Sequence, residues 1–199
     1  MKLFGKWNYD VEISDLSLKQ VISLKPLNVP HTRGRHAKKR LKKVKVNVVE
    51  RLVNKLMRGG TGKKVGGKVI RTHGRLQGKK LKVMKEVERA FDLIYERTKK
   101  NPLEVLIKAL ENTAPREDVT RVQMGGVSYQ ISVDVSATRR LDVALKNISL
   151  AALMRTFNTP KSLAEALADE IIAASNNDMQ ASYAVKRRDE MERMAKAAR

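Results

Sequence analysis

Apolar positions recur at helical spacing through the central and C-terminal parts of the chain. In VNVVERLVNKLMRGG, Val49, Leu52, Val53 and Leu56 fall at i, i+3, i+4 and i+7, and Gly59 offers a left-handed stop, so this segment reads as the first helix of a body. LKVMKEVERAFDLIYERTKK carries a second stripe through Met84, Val87, Phe91 and Ile94. The third helix opens on Asn101 as N-cap, with Pro102 at the first helical position and Glu104 as the reciprocal capping partner. Its apolar face is Leu103, Leu106, Ile107 and Leu110, and it stops before Pro115. Leu141, Ala144, Leu145, Ile148 and Ala152 mark a fourth helix. A fifth follows Thr159 and Pro160, with Ser162 and Glu165 as a capping box and Leu167, Ile171 and Ala174 turned inward. The last segment, from about 182 to 199, reads as a charged helix with little to bury.

One stretch keeps a different period. In VTRVQMGGVSYQISVDVSATRR, apolar and polar residues alternate on either side of Gly125 and Gly126. A two-residue turn at that pair sets Met124 against Val127, Val122 against Tyr129 and Thr120 against Ile131 on one face. The other face pairs Gln123 with Ser128 and Arg121 with Gln130. Glycine supplies the positive φ the turn needs, and the period of two sorts apolar from polar without a slip. A hairpin at about 119–135 is therefore expected, each strand reaching roughly 20 Å. An isolated two-stranded ribbon is marginal in water, so it leans on the helices or on a partner. The fold class is then mainly α: a bundle-like body of about six helices, one protruding antiparallel β-hairpin and a basic N-terminal arm.

Composition indicates the kind of partner. The chain has 199 residues, 42 Lys plus Arg against 21 Asp plus Glu, and a net charge of +21. Such an excess opposes compaction by self-repulsion and is most simply explained by a polyanion that neutralises it. Nucleic acid leads. No apolar run approaches the ~18 residues of a spanning helix, and the basic stretches lack the Trp/Phe/Leu face of an interfacial helix, so no membrane partner is expected. The opening MKLFGKWNYD has neither the apolar core nor the cleavage site of a signal peptide. The absence of cysteine fits a reducing, cytoplasmic location.

Two segments do not read as core. NVPHTRGRHAKKRLKKVK, from Asn28 to Lys45, is dense in Lys and Arg with almost nothing apolar, and alone it is expected to be disordered. GGTGKKVGGKVIRTHGRLQGKK, from Gly59 to Lys80, is a long glycine- and lysine-rich connection of a kind that is usually functional or disordered. In both, glycine lets backbone approach phosphates closely. The first ~30 residues show little core signal and are expected to fray. The chain thus divides into an N-terminal extension and arm, 1–46, and a helical domain, expected to bind nucleic acid, 47–199.

Catalytic readings fail on the residues. GKKVGGKV, Gly62 to Val69, comes within one residue of a phosphate-binding P-loop, but Val69 has no hydroxyl for magnesium and a helix precedes it where a strand is required. His31, His36 and His73 lie among Lys and Arg, whose field opposes a dication, so no metal site is expected and they read as stacking or phosphate contacts. The carboxylates sit at salt-bridge spacing on helix surfaces, without acid/base partners. The expectation is a protein that is not an enzyme and uses no cofactor.

VERLVNKLMRGG, NPLEVLIKALENTAPREDVTRV, GGVSYQISVDV, ATRRLDVAL and LADEIIAASNN together resemble the universal small-subunit ribosomal protein seven. The tail SYAVKRRDEMERMAKAAR and the opening KLFGKW are similar to the archaeal and eukaryotic branch, while the tip QMGGVSYQ is closer to the bacterial style, a mixture that suggests an archaeal source. The Gly59 to Lys80 loop looks longer than the bacterial one.

The resemblance implies a structural component of the small ribosomal subunit. It would be a primary binder of the 3′ major (head) domain of its RNA, acting in assembly, with the hairpin near the exit-site tRNA and the messenger and with ribosomal protein eleven as neighbour. RNA-contact candidates carried over are Arg33, Arg35, His36, Lys38, Lys39, Arg40, Lys42 and Lys43 in the arm, and Lys63, Lys64, Lys68, Arg71, Lys79 and Lys80 in the loop. Arg121 and the tip residues Gln123, Met124, Gly125, Gly126, Ser128, Tyr129 and Gln130 fall in the hairpin; Arg139, Arg140, Lys186, Arg187 and Arg188 extend the basic surface. Trp7 and Tyr129 offer rings for base stacking, with packing against the protein the favoured reading of both. A DNA-architectural protein is the alternative, since such proteins also combine basic helices with β-arms, though the tip here has glycines where an intercalating wedge is expected.

Overall fold

In the computed structural model the described residues are 1–58, 64–65, 68–69 and 76–199. Lys63, Arg71, His73 and the Gly59 stop lie outside them, as do the side chains of Lys64, Lys68 and Met124. The helical stripes form the helices their spacing predicts. Asn47 accepts the Val49 N–H at 2.9 Å and opens α2, Val48–Leu56, whose Val49, Leu52, Val53 and Leu56 are fully buried. α3, Lys80–Thr98, buries Met84, Val87, Phe91 and Ile94 and ends on Lys99 in the left-handed region. α4, Pro102–Thr113, is capped by Asn101, which accepts the Leu103 N–H at 3.1 Å. That cap is one-sided: Glu104 is exposed, and the reciprocal box forms instead at α6, Leu163–Ser175, between Ser162 and Glu165.

α6 is the centre of the body. It packs against α3, α4, α5 (Ala137–Thr156) and α7 (Tyr183–Ala197). Ala164, Ala166, Ala168 and Ala174 are buried along it beside Leu167 and Ile171, and small side chains let neighbouring helix axes approach. α7 buries little of its own, only Ala184, Val185 and Ala195, and is docked by polar bonds. Ser182 Oγ and the Ala184 N–H donate to buried Glu170 at 2.7 and 3.0 Å, and Arg188 donates to the Asn112 carbonyl at 2.6 Å.

The expectation that the first residues fray is corrected. Leu3 and Leu18 are fully buried, and Val21 and Ile22 join the same core. A short α1, Leu16–Lys19, is capped by Asp15. Phe4 meets Phe91 edge-on at 6.3 Å, and Trp7 packs against Tyr95 at 5.0 Å. Polar bonds pin the irregular backbone between these contacts: Lys6 to Asp92 at 2.9 Å, Asn101 to the Asn8 carbonyl at 2.9 Å, and the Ser14 N–H to Glu111 at 2.6 Å. These apolar residues are split among tight turns, the four-residue α1 and irregular backbone, each too short for a period to betray them. The segment works as a strap across α3, α4 and α5.

The hairpin has the expected register. β3, Glu117–Met124, pairs with β4, Val127–Asp134, and the pairing includes Met124 with Val127, Val122 with Tyr129, Arg121 with Gln130 and, beyond the expected start, Glu117 with Asp134. Gly125 at φ 58° and Gly126 at φ 82° supply the turn, both positive as a primed turn requires. Among the described residues the root touches the body, where Arg199 of the terminal segment pairs with Glu117 and the Arg116 N–H donates to Glu192 at 3.0 Å. Within the long connection, β1, Lys64–Val65, pairs antiparallel with β2, Lys68–Val69.

Candidate nucleic-acid interface

The arm leaves the core after Pro30 and returns at Val46. Between them lie two single 3₁₀ turns, Arg35–Lys38 and Lys42–Lys45, with no buried residue in either. Arg33 at φ 50° and Gly34 at φ 76° reverse the chain, and the His31 Nδ1 accepts the Arg33 N–H at 3.0 Å to hold that bend. The result is a concavity of about 510 Å³ lined by Lys25, His31, Thr32, Arg33, Arg35, His36, Lys42, Lys45 and Val46. Thr32 Oγ1 donates its single proton to Glu50 at 2.8 Å, so the 3.0 Å contact from His36 Nδ1 to the same oxygen is donated by the imidazole. Lys38 at the end of the first turn, and Lys39 and Arg40 after it, stand exposed.

A second basic group gathers where the arm meets the body. Asp142 of α5 accepts from Lys43 at 2.5 Å, Arg51 at 3.2 Å and Lys55 at 3.5 Å. Burial pushes its carboxyl up, but these three cations together hold it below the usual carboxylate range. Burial pushes the Lys55 ammonium down, and the pull of Asp142 only partly offsets it. A concavity of about 400 Å³ opens here, lined by Lys43, Lys55, Thr138, Arg139, Asp142, Val143 and Lys146. Four cations against one carboxylate leave this hollow positive, and α5 aligns it with the root of the hairpin, where Arg139 pairs with Asp118 at 3.0 Å.

On the ribbon itself Arg121, Gln123, Ser128 and Gln130 are exposed on one face. The opposite, apolar face is exposed as well: Val127 is 54%, Tyr129 52% and Ile131 43% accessible. Packing of Tyr129 against its own protein is thus corrected, because the ribbon projects past the helices that could cover it. Trp7 is packed as expected.

Other cations are committed inward. Lys80 pairs with buried Glu50. Arg140, nearly buried, donates to the Pro115 carbonyl at 3.2 Å, to Asp15 at 2.8 Å and to the Ser17 hydroxyl. Arg188 bonds the Asn112 carbonyl and Asn177, whereas Arg187, paired with Glu190 at 2.9 Å, Lys79 and Lys186 are exposed.

The sequence profile of the ribosomal protein S7p/S5e family matches residues 18–199, nearly the whole chain. The chain belongs to the ribosomal protein S7p/S5e family. As a member it is a small-subunit ribosomal protein, a structural and RNA-binding component of translation associated with the ribosome. The DNA-architectural alternative gives way to that membership. Among the described residues no helix is long and apolar enough to cross a membrane. The S7p/S5e match begins at Leu18, the buried residue of α1, so most of the N-terminal strap precedes it. Four cations of this S7p/S5e protein's basic hollows, Lys25, Lys45, Lys55 and Lys146, were not singled out by sequence. Lys55 and Lys146 sit on helices, where a lone lysine reads as an ordinary solvated side chain, and only the packing of α2 on α5 brings them together.

Proposed function

We propose that this protein is a primary binder of the 3′ major (head) domain of small-subunit ribosomal RNA, that it organises that domain during assembly, and that its hairpin reaches the path of the exit-site tRNA and the messenger. Ribosomal protein eleven is its proposed neighbour, the archaeal/eukaryotic branch its proposed lineage and the cytoplasmic ribosome its proposed location. The single observation that carries the reading is the sorting of cations. Arg140, Arg188 and Lys80 face inward on carbonyls and carboxylates, while the arm, the Asp142 hollow and the polar face of the ribbon carry outward donors.

Folded RNA is recognised mainly through shape, phosphates and 2′-hydroxyls, which suits hollows lined with Lys, Arg and His on a rigid helical block. The 4% aromatic content is too low for a reader that stacks successive bases. Within this proposal Arg33, Arg35, Lys38, Lys39, Arg40 and Lys42 contact phosphates directly; Lys63, Lys64, Lys68 and Arg71 of the loop are proposed contacts by family resemblance. Lys43, Lys80, Arg140 and Arg188 shape the surface that the others present. The test is the RNA that copurifies and crosslinks with the full chain in moderate salt. Small-subunit RNA crosslinked within its 3′ major domain is expected, and recovery of only DNA or unrelated RNA contradicts the proposal.

A further inference from the structure

We infer that Glu50, an acidic residue beneath the basic face, is a positioning residue for RNA binding: it clamps the arm to the body so that the arm's cations are held in one arrangement. This rests on the reading of that face as the ribosomal RNA-binding surface. Glu50 is fully buried on α2. Three donors converge on its Oε1: the Thr32 backbone N–H at 2.9 Å, the Thr32 hydroxyl at 2.8 Å and the Lys80 ammonium at the start of α3. One oxygen therefore joins the arm, the first body helix and the far end of the long connection. Thr32 also receives the His36 Nδ1–H, which sets the clamp into the wall of the larger basic hollow. Immediately after it the chain bends through Arg33 and Gly34 at positive φ. A non-glycine residue in the left-handed region needs surrounding structure to hold it there, and the clamp at Thr32 provides it.

Stability alone does not account for a carboxylate at this place. Among the described residues its Oε2 is buried without a hydrogen-bond partner. A buried ion pair of this kind contributes little net stability relative to well-packed apolar residues of the same volume. What it supplies is a directional acceptor. The arm's two turns have no buried residue, so apolar packing cannot fix them, and hydrogen bonds from Thr32 can.

The test uses the full chain and a head-domain fragment of small-subunit ribosomal RNA. Glu50→Gln keeps an acceptor oxygen but withdraws the charge that strengthens the bonds from Thr32 and Lys80, so it loosens the clamp. It also removes a negative charge from a face that binds a polyanion, so electrostatics alone would tighten binding. The positioning role requires the opposite: a loss of roughly tenfold in affinity, because only molecules with the arm correctly set bind. Free Glu50→Gln protein should also be cut faster by trypsin between Arg33 and Lys42. Thr32→Val leaves the net charge and the Glu50–Lys80 pair intact and removes one of the two arm bonds to Glu50, together with the acceptor of His36. It should weaken binding by roughly threefold, with the melting of the body unchanged. Wild-type or tighter binding by Thr32→Val overturns the inference whatever Glu50→Gln does, and tighter binding by Glu50→Gln overturns it too. Failure of the wild-type chain to bind the fragment would instead overturn the functional reading beneath it.

Discussion

Arg140 and Asp15 show how single charged groups hold the N-terminal strap. Burial pushes the Asp15 carboxyl up, but bonds from Arg140 and Ser17 outweigh it and bring it from 3.8 down to about 2. A carboxyl depressed on folding contributes stability that is present above its unfolded value and lost as the pH falls through its folded one, here between 3.8 and about 2. Asparagine caps a helix as well as aspartate, so Asp15→Asn isolates the charge. The variant should melt below wild type near neutral pH, by at most about 2 kcal/mol or roughly 4–8 °C, and the two melting curves should converge at the acid end. A gap that persists in acid would mean that the ion pair is not its source. Neither Arg140 nor Arg188 was legible as an anchor in the sequence, where a guanidinium that ends on carbonyls looks the same as one that faces a phosphate.

Among the elements, the helices were legible because burial imposes a period on their side chains, as at Leu52 and Leu56, and the hairpin register because alternation about the Gly125–Gly126 turn sets Val122 opposite Tyr129. The strap was not legible. Leu3, Leu18 and Ile22 are buried from turns and a single short helical turn, on a segment held by Glu111, Asn101 and Asp92, residues that are distant in sequence. The exposure of Tyr129 was not legible either, since alternation tells which side of a ribbon is apolar and not whether anything covers it. That projection makes the hairpin separable. Its root is tied to the body through Arg116 to α7, through Glu117 to the terminal Arg199 and through Asp118 to Arg139 of α5. Replacing residues 122–130 by a short Gly-Ser turn should leave melting and head-domain RNA binding intact while altering exit-site tRNA retention or messenger crosslinking in reconstituted subunits. Loss of folding or of ribosomal RNA binding would make the hairpin structural instead.

At the scale of the whole molecule the net charge of +21 is distributed, not uniform. A strap and inward-facing guanidiniums stabilise the body, and the arm and the Asp142 hollow carry the cations left for a partner. The central claim is that this surface recognises one RNA domain by shape and binds it through counterion release. The most direct test is the affinity of the full chain for the 3′ major-domain RNA and for an equal length of another small-subunit RNA domain, measured across a salt series. The head domain should be preferred by at least roughly tenfold throughout, and Lys38, Lys39 and Arg40 replaced together by alanine should reduce the salt slope by about two to three while keeping the preference. Equal affinity for the two RNAs, or an unchanged slope in the triple variant, would contradict the account.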